Sequence, residues 1–103
     1  MSFGFPPEVA SYKVLAASGN VGDSGLPIDV VGYTINSKST AGAITLKNGT
    51  AASSPAAWSD TATVASQENV KALAYPVRLN AGCYVSFDSN VNQATIFYRQ
   101  MYT

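Results

Sequence analysis

The chain has 103 residues, 47% of them apolar, which is the size and composition of one globular domain with a single core and excludes a disordered segment. Six acidic and six basic residues cancel, and charged side chains make up only 12% of the chain against a usual ~25%. The basic residues Lys13, Lys38, Lys47, Lys71, Arg78 and Arg99 are scattered and balanced by acids, which excludes the concentrated basic field that DNA or RNA binding requires.

Met1 to Ser11 reads as an extended N-terminal arm preceding a domain over 12–103. Pro6 and Pro7 set an extended backbone and forbid helix. Phe3 and Phe5 are large apolar groups that such an arm cannot bury by itself. They either fold back on the domain or pack on a neighbour, and Phe3, Phe5, Pro6 and Pro7 are candidate protein-contact residues. The same stretch lacks a basic n-region and is broken by two prolines, so no signal peptide is expected. No apolar run approaches the ~20 residues of a membrane-spanning helix, and no membrane partner is expected.

The alternation predicts a first strand over Tyr12–Ala17 and a glycine-rich loop over Gly19–Gly25. That loop lacks the following helix and the Lys-Ser/Thr of a phosphate-binding loop. Ile28–Ser37 is the richest β segment, and its apolar phase switches between Val30 and Val31 beside Gly32, which predicts a β-bulge or a strand crossing between sheet edges. Ala43–Lys47 alternates cleanly, with Ile44 and Leu46 on one side, and Asn48-Gly49 then signals a tight turn. Asn48-Gly49-Thr50 also matches the glycosylation sequon, without a secretory context to support it. Thr50–Ala57 reads as a loop, Trp58 as an isolated aromatic in polar surroundings, and Thr61–Ala65 as a strand.

Val70–Leu79 reads as a strand with Leu73, Tyr75, Val77 and Leu79 on one face, and Pro76 marks it as an edge strand or a bend. A helix over Ser66–Ala74 is the competing reading. Cys83, Val85 and Phe87 alternate with Tyr84, Ser86 and Asp88, and Ala94–Met101 follows after a polar turn, which predicts an antiparallel hairpin of the last two strands. Seven to eight short strands at roughly ten-residue spacing predict an all-β, single-domain antiparallel β-sandwich, of which the jelly roll is one form.

The chain has no histidine, which removes the usual general base, zinc ligand and triad member. Its one cysteine, Cys83, permits no intrachain disulfide and is expected to be a buried small hydrophobe. Asp23, Asp60 and Asp88 lie beside turn-forming residues and are expected to cap turns rather than to form a glycosidase pair or a calcium loop. No catalytic residue, metal ligand or cofactor is therefore expected, and the chain is not expected to be an enzyme. Tyr12, Tyr33, Tyr75, Tyr84, Tyr98, Tyr102 and Trp58 could form a sugar-binding platform, or serve in strands and interfaces. Trp58 and Tyr84 are the candidate contact residues among them; for Trp58 the alternative is a lid over the core.

The run Gly25–Ile35, then Ala43–Thr50, and the closing Tyr84–Asp88 with Ala94–Tyr98 resemble small all-β structural proteins of tailed bacteriophages. The resemblance spans most of residues 12–100 and rests on strand-and-turn patterns without a catalytic signature. It implies a non-enzymatic virion structural protein, foremost a capsid decoration or cement subunit. Its expected partners are other copies of itself, as a trimer, and a major capsid or other virion protein. The alternative is a carbohydrate-binding β-sandwich module, or a tail or spike component that binds a host glycan.

Overall fold

The computed structural model describes residues 11–23, 25–38, 40–62 and 68–100. They form eight strands: β1 (Ser11–Leu15), β2 (Gly19–Val21), β3 (Ile28–Ser37), β4 (Gly42–Asn48), β5 (Ala56–Ala62), β6 (Glu68–Leu79), β7 (Cys83–Phe87) and β8 (Val91–Gln100). A front sheet has the order β1-β8-β3-β6 and a back sheet the order β2-β7-β4-β5. Every pairing is antiparallel. First pairs with eighth, second with seventh, third with sixth and fourth with fifth, so the fold is a β-sandwich with the strand order of a jelly roll.

The period-2 alternation of the strands builds the core. Ile28, Val30, Tyr33 and Ile35 of β3, Ala94 and Ile96 of β8, and Leu79 of β6 face Ile44 and Leu46 of β4 and Cys83 and Val85 of β7, all buried. Val31 breaks the phase of β3, as expected beside Gly32. Val30 lies opposite Tyr98 and Gly32 opposite Phe97, so β8 has no residue facing Val31. Against β6 the step is larger: Val30 pairs with Val77 and Gly32 with Ala72, which leaves Leu73 to Pro76 bulged out of register. Pro76 thus sits in an irregular stretch of an edge strand, where its missing N–H breaks no ladder. Tyr75 is thrown outward with 86% of its surface exposed, rather than sharing a buried face with Leu79.

Several expectations are corrected. Cys83–Phe87 and Val91–Gln100 do not form a hairpin; β7 lies in the back sheet and β8 in the front, and the turn at 88–90 carries the chain across the sandwich. Among the described strands, β4 and β5 alone are consecutive in one sheet. The glycine-rich loop contains the short strand β2, which pairs through Gly19, Asn20 and Val21 with β7. Asn48-Gly49 does not close a two-residue turn, because the link to β5 runs over 49–55. Asn48 instead joins two loops: its N–H donates to Pro55 O (2.8 Å) and its Oδ1 accepts from Ala81 N–H (2.8 Å). From Glu68 onward the competing helix is replaced by β6. Ser11, expected at the end of the arm, opens β1 and pairs with Tyr98; residues 1–10 of the arm, residues 63–67 and Met101 lie outside the described residues.

Candidate interaction surfaces

Trp58 lies in β5, an edge strand of the back sheet, and not in a loop. It pairs with Leu46, so it projects to the core side of its sheet. There its indole Nε1–H donates to the hydroxyl of Tyr33 (2.9 Å), which reaches across from β3 of the front sheet. The Tyr33 hydroxyl in turn donates to Asp60 Oδ2 (2.7 Å), and Lys71 Nζ of β6 approaches the same oxygen (3.5 Å). Trp58, Tyr33, Asp60 and Lys71 thus tie the two sheets together along the β5–β6 side. Trp58 keeps 39% of its surface exposed while its indole is anchored, which makes it a side wall of the core. Asp60 is a member of this network and does not cap a turn.

Burial pushes the Tyr33 phenol up to about 12; the Trp58 donation opposes that shift and the bond to Asp60 adds to it. Burial also raises Asp60, but hydrogen bonds from Tyr33 and the Thr61 N–H, with the charge of Lys71, hold it below its usual value. Both shifts favour the state drawn here, a neutral phenol donating to a carboxylate.

Tyr84 pairs with Lys47 and with Asn20, the opposite phase from the core residues of its sheet, so it stands on the outer face. Trp58 and Tyr84 therefore project from opposite faces of the back sheet and do not share a platform. Thr45 and Ser59, hydrogen-bonded through their hydroxyls (3.1 Å), lie on the outer face with Tyr84. Asp88 does cap its turn, accepting from Ala43 N–H (2.9 Å) and Asn90 N–H (2.8 Å). Cys83 is buried, and burial pushes its thiol up to about 12. Phe3, Phe5, Pro6 and Pro7 lie outside the described residues.

The outer face of the front sheet carries a surface that residue-by-residue reading left undistinguished. In register, Tyr12 lies beside Phe97 and Val14 beside Thr95, in the phase opposite to the core residues Leu15 and Ile96. Tyr12 is 67% and Val14 47% exposed, and the Tyr12 and Phe97 rings lie 6.4 Å apart, tilted by 53°. The sequence signal was the apolar residue at both phases of the first and last strands, which marks strands with two contact faces. Farther along the same sheet Asp29 is buried beneath the Arg78 guanidinium, which grips it through Nε to Oδ1 and Nη2 to Oδ2 (3.2 Å). Among the described residues no group of three or more His, Cys, Asp or Glu could hold a metal ion, and no helix is long and apolar enough to cross a membrane. Comparison with protein-family models, curated proteins and solved structures finds no match to this chain.

Proposed function

We propose that the chain is a non-enzymatic structural subunit that binds further copies of itself, foremost as a capsid decoration or cement protein of a bacteriophage virion. The observation that carries the self-association is the apolar strip on the outer face of the front sheet. Tyr12, Val14 and Phe97 occupy positions the core does not use, on a domain with few charges to oppose association. The virion setting is supported by the strand-and-turn resemblance to phage structural proteins and by a jelly-roll order of the kind used in capsid subunits. The non-catalytic reading is supported by the acids: Asp29, Asp60 and Asp88 are each engaged in bonds that hold the fold.

Jelly rolls also serve as lectin domains, so a glycan-binding module is the second reading. It has less support, because Trp58 and Tyr84 face opposite ways. Of these two, Tyr84, with Asn20 and Lys47 beside it, stands on an outer face a sugar could cover.

Solution mass by light scattering over a dilution series tests the proposal. A trimer or other closed oligomer that dissociates on dilution is expected. A monomer at every concentration, with binding on a glycan screen that Tyr84→Ala abolishes, would replace it with the second reading.

A further inference from the structure

We propose that Asn48 is a latent modification site: it deamidates through attack by the next peptide nitrogen when the loops over 49–55 and 80–82 part, and the closed fold holds it inert. This stands apart from the self-assembly reading and survives its failure.

Asn48-Gly49 is the one Asn-Gly pair in the chain. A glycine after asparagine leaves the following peptide nitrogen unshielded by any side chain, so this pair is the one most open to ring closure. In that step the Gly49 nitrogen gives its proton to water or hydroxide and attacks Asn48 Cγ. The Cγ–Nδ2 bond breaks, ammonia leaves and a five-membered succinimide forms. Water then opens the ring at either carbonyl, giving aspartate or isoaspartate. Each event replaces a neutral amide with a carboxylate and takes the formal net charge from zero to minus one.

The contacts around the pair oppose ring closure at each atom it needs. Asn48 Oδ1 accepts from Ala81 N–H (2.8 Å), which fixes the carboxamide. Asn48 N–H donates to Pro55 O (2.8 Å), and Asn48 pairs with Cys83 as the last residue of β4, which holds its backbone extended. Gly49 N–H, the proton that must leave, donates to Gly82 O (3.1 Å), and Gly49 is buried. Bringing the Gly49 nitrogen to Cγ requires rotation about Asn48 χ1 and ψ, so the bonds to Ala81 and Gly82 break first. The lock therefore depends on the 80–82 turn staying seated. Gly82 has φ 108°, and a Cβ there would lie 3.2 Å from Gly25 N and 3.3 Å from Gly49 O.

The two products differ in what they leave. Aspartate keeps an acceptor for Ala81 N–H. Isoaspartate adds a methylene to the main chain, which breaks the register with Cys83, so that end of β4 does not reseat.

The test incubates the full chain beside a peptide of residues 44–54 in the same buffer, which serves as the open reference. Peptide-mapping mass spectrometry and ion exchange follow the mass gain and added negative charge at Asn48. Hydrogen exchange of the Gly49 amide is measured on the same samples. Deamidation is expected to be roughly ten-fold slower or more in the full chain than in the peptide, and to rise in step with Gly49 exchange as urea is added below the unfolding transition. Gly82→Ala, which strains the turn, is expected to move the rate towards that of the peptide while circular dichroism keeps its β signature. A folded chain that deamidates as fast as the peptide overturns the inference. So does slow deamidation in a chain whose Gly49 amide exchanges freely, since the named bonds are then not the lock. Should Gly82→Ala fail to fold, the paired urea series on the unaltered chain decides: rates that do not rise together overturn the inference.

Discussion

Tyr33 is the residue on which most of the polar chemistry of the sandwich converges. It is buried from β3, yet its hydroxyl both accepts from Trp58 and donates to Asp60. Tyr33→Phe leaves both partners short of a bond and is expected to cost about 1–3 kcal/mol, read from urea unfolding. The network also sets two pH limits. The Tyr33 phenol is raised from 10.0 to about 12 in the fold. The neutral phenol is thus the folded form, and its contribution is complete below pH 10 and lost as pH climbs from 10 towards about 12. Asp60 is depressed instead, so its contribution is present above about 3.9 and lost as pH falls through the lower folded value. Asp60→Asn is expected to flatten that acid limb of the stability profile. Thr34→Val removes a buried hydroxyl that has no partner among the described residues, and keeps the shape. It is expected to stabilise the isolated domain by about 1 kcal/mol, a rise in Tm of roughly 4–8 °C. Cys83 should resist thiol reagents at neutral pH until the domain opens, because burial withholds both access and thiolate.

At the scale of the element, the strands are shaped by where the alternation fails. β3 carries core residues on one phase up to Val30 and resumes from Tyr33, and Gly32 allows the shift. A Cβ on Gly32 would lie 2.8 Å from Lys71 O, a backbone atom that cannot rotate away. Gly32→Ala is therefore expected to destabilise by roughly 1–3 kcal/mol and to loosen β6, measured by denaturation and by hydrogen exchange along β6. The edge strands are managed in different ways. β6 has Pro76 and a bulge, while β1 places Lys13 on the core-side phase opposite Ile96, where a charge discourages another strand from adding at that edge. Tyr12 and Val14 of β1 point to the outer face while Leu15 points into the core, so association is directed to the face of the sheet and away from its edge.

At the scale of the whole molecule, the nested pairing makes almost every ladder long-range. β1 must find β8, and β2 must find β7, before either sheet is complete. Closing such loops costs chain entropy before contacts repay it, so refolding is expected in the millisecond-to-second range, measurable by stopped-flow fluorescence of Trp58. The two sheets are held chiefly by apolar packing and by the bridge at Tyr33, with no disulfide available to a chain with one cysteine. Assembly would add stability by mass action, which suits a domain with a low-charge surface and one apolar outer face.

The fold class was legible residue by residue. Alternation in 28–37, 43–47 and 83–87, the phase break beside Gly32 and the edge signal of Pro76 all correspond to observed features, because each depends on side-chain period and backbone sterics within one strand. The absence of histidine and the single cysteine also narrowed the chemistry before any geometry was known. Partnership between strands was not legible. Two alternating runs joined by a short polar turn read as a hairpin, yet β7 and β8 belong to different sheets, because the same pattern suits a turn within a sheet and one that crosses the sandwich. Likewise Trp58 and Tyr84 looked equivalent as candidate contacts. Only pairing with Leu46 in one case and Lys47 in the other turned one inward and the other outward. Local sequence determined the period of each strand and hence that two layers would form; the register between distant strands, set by how the whole apolar set is buried at once, decided which faces remain for partners.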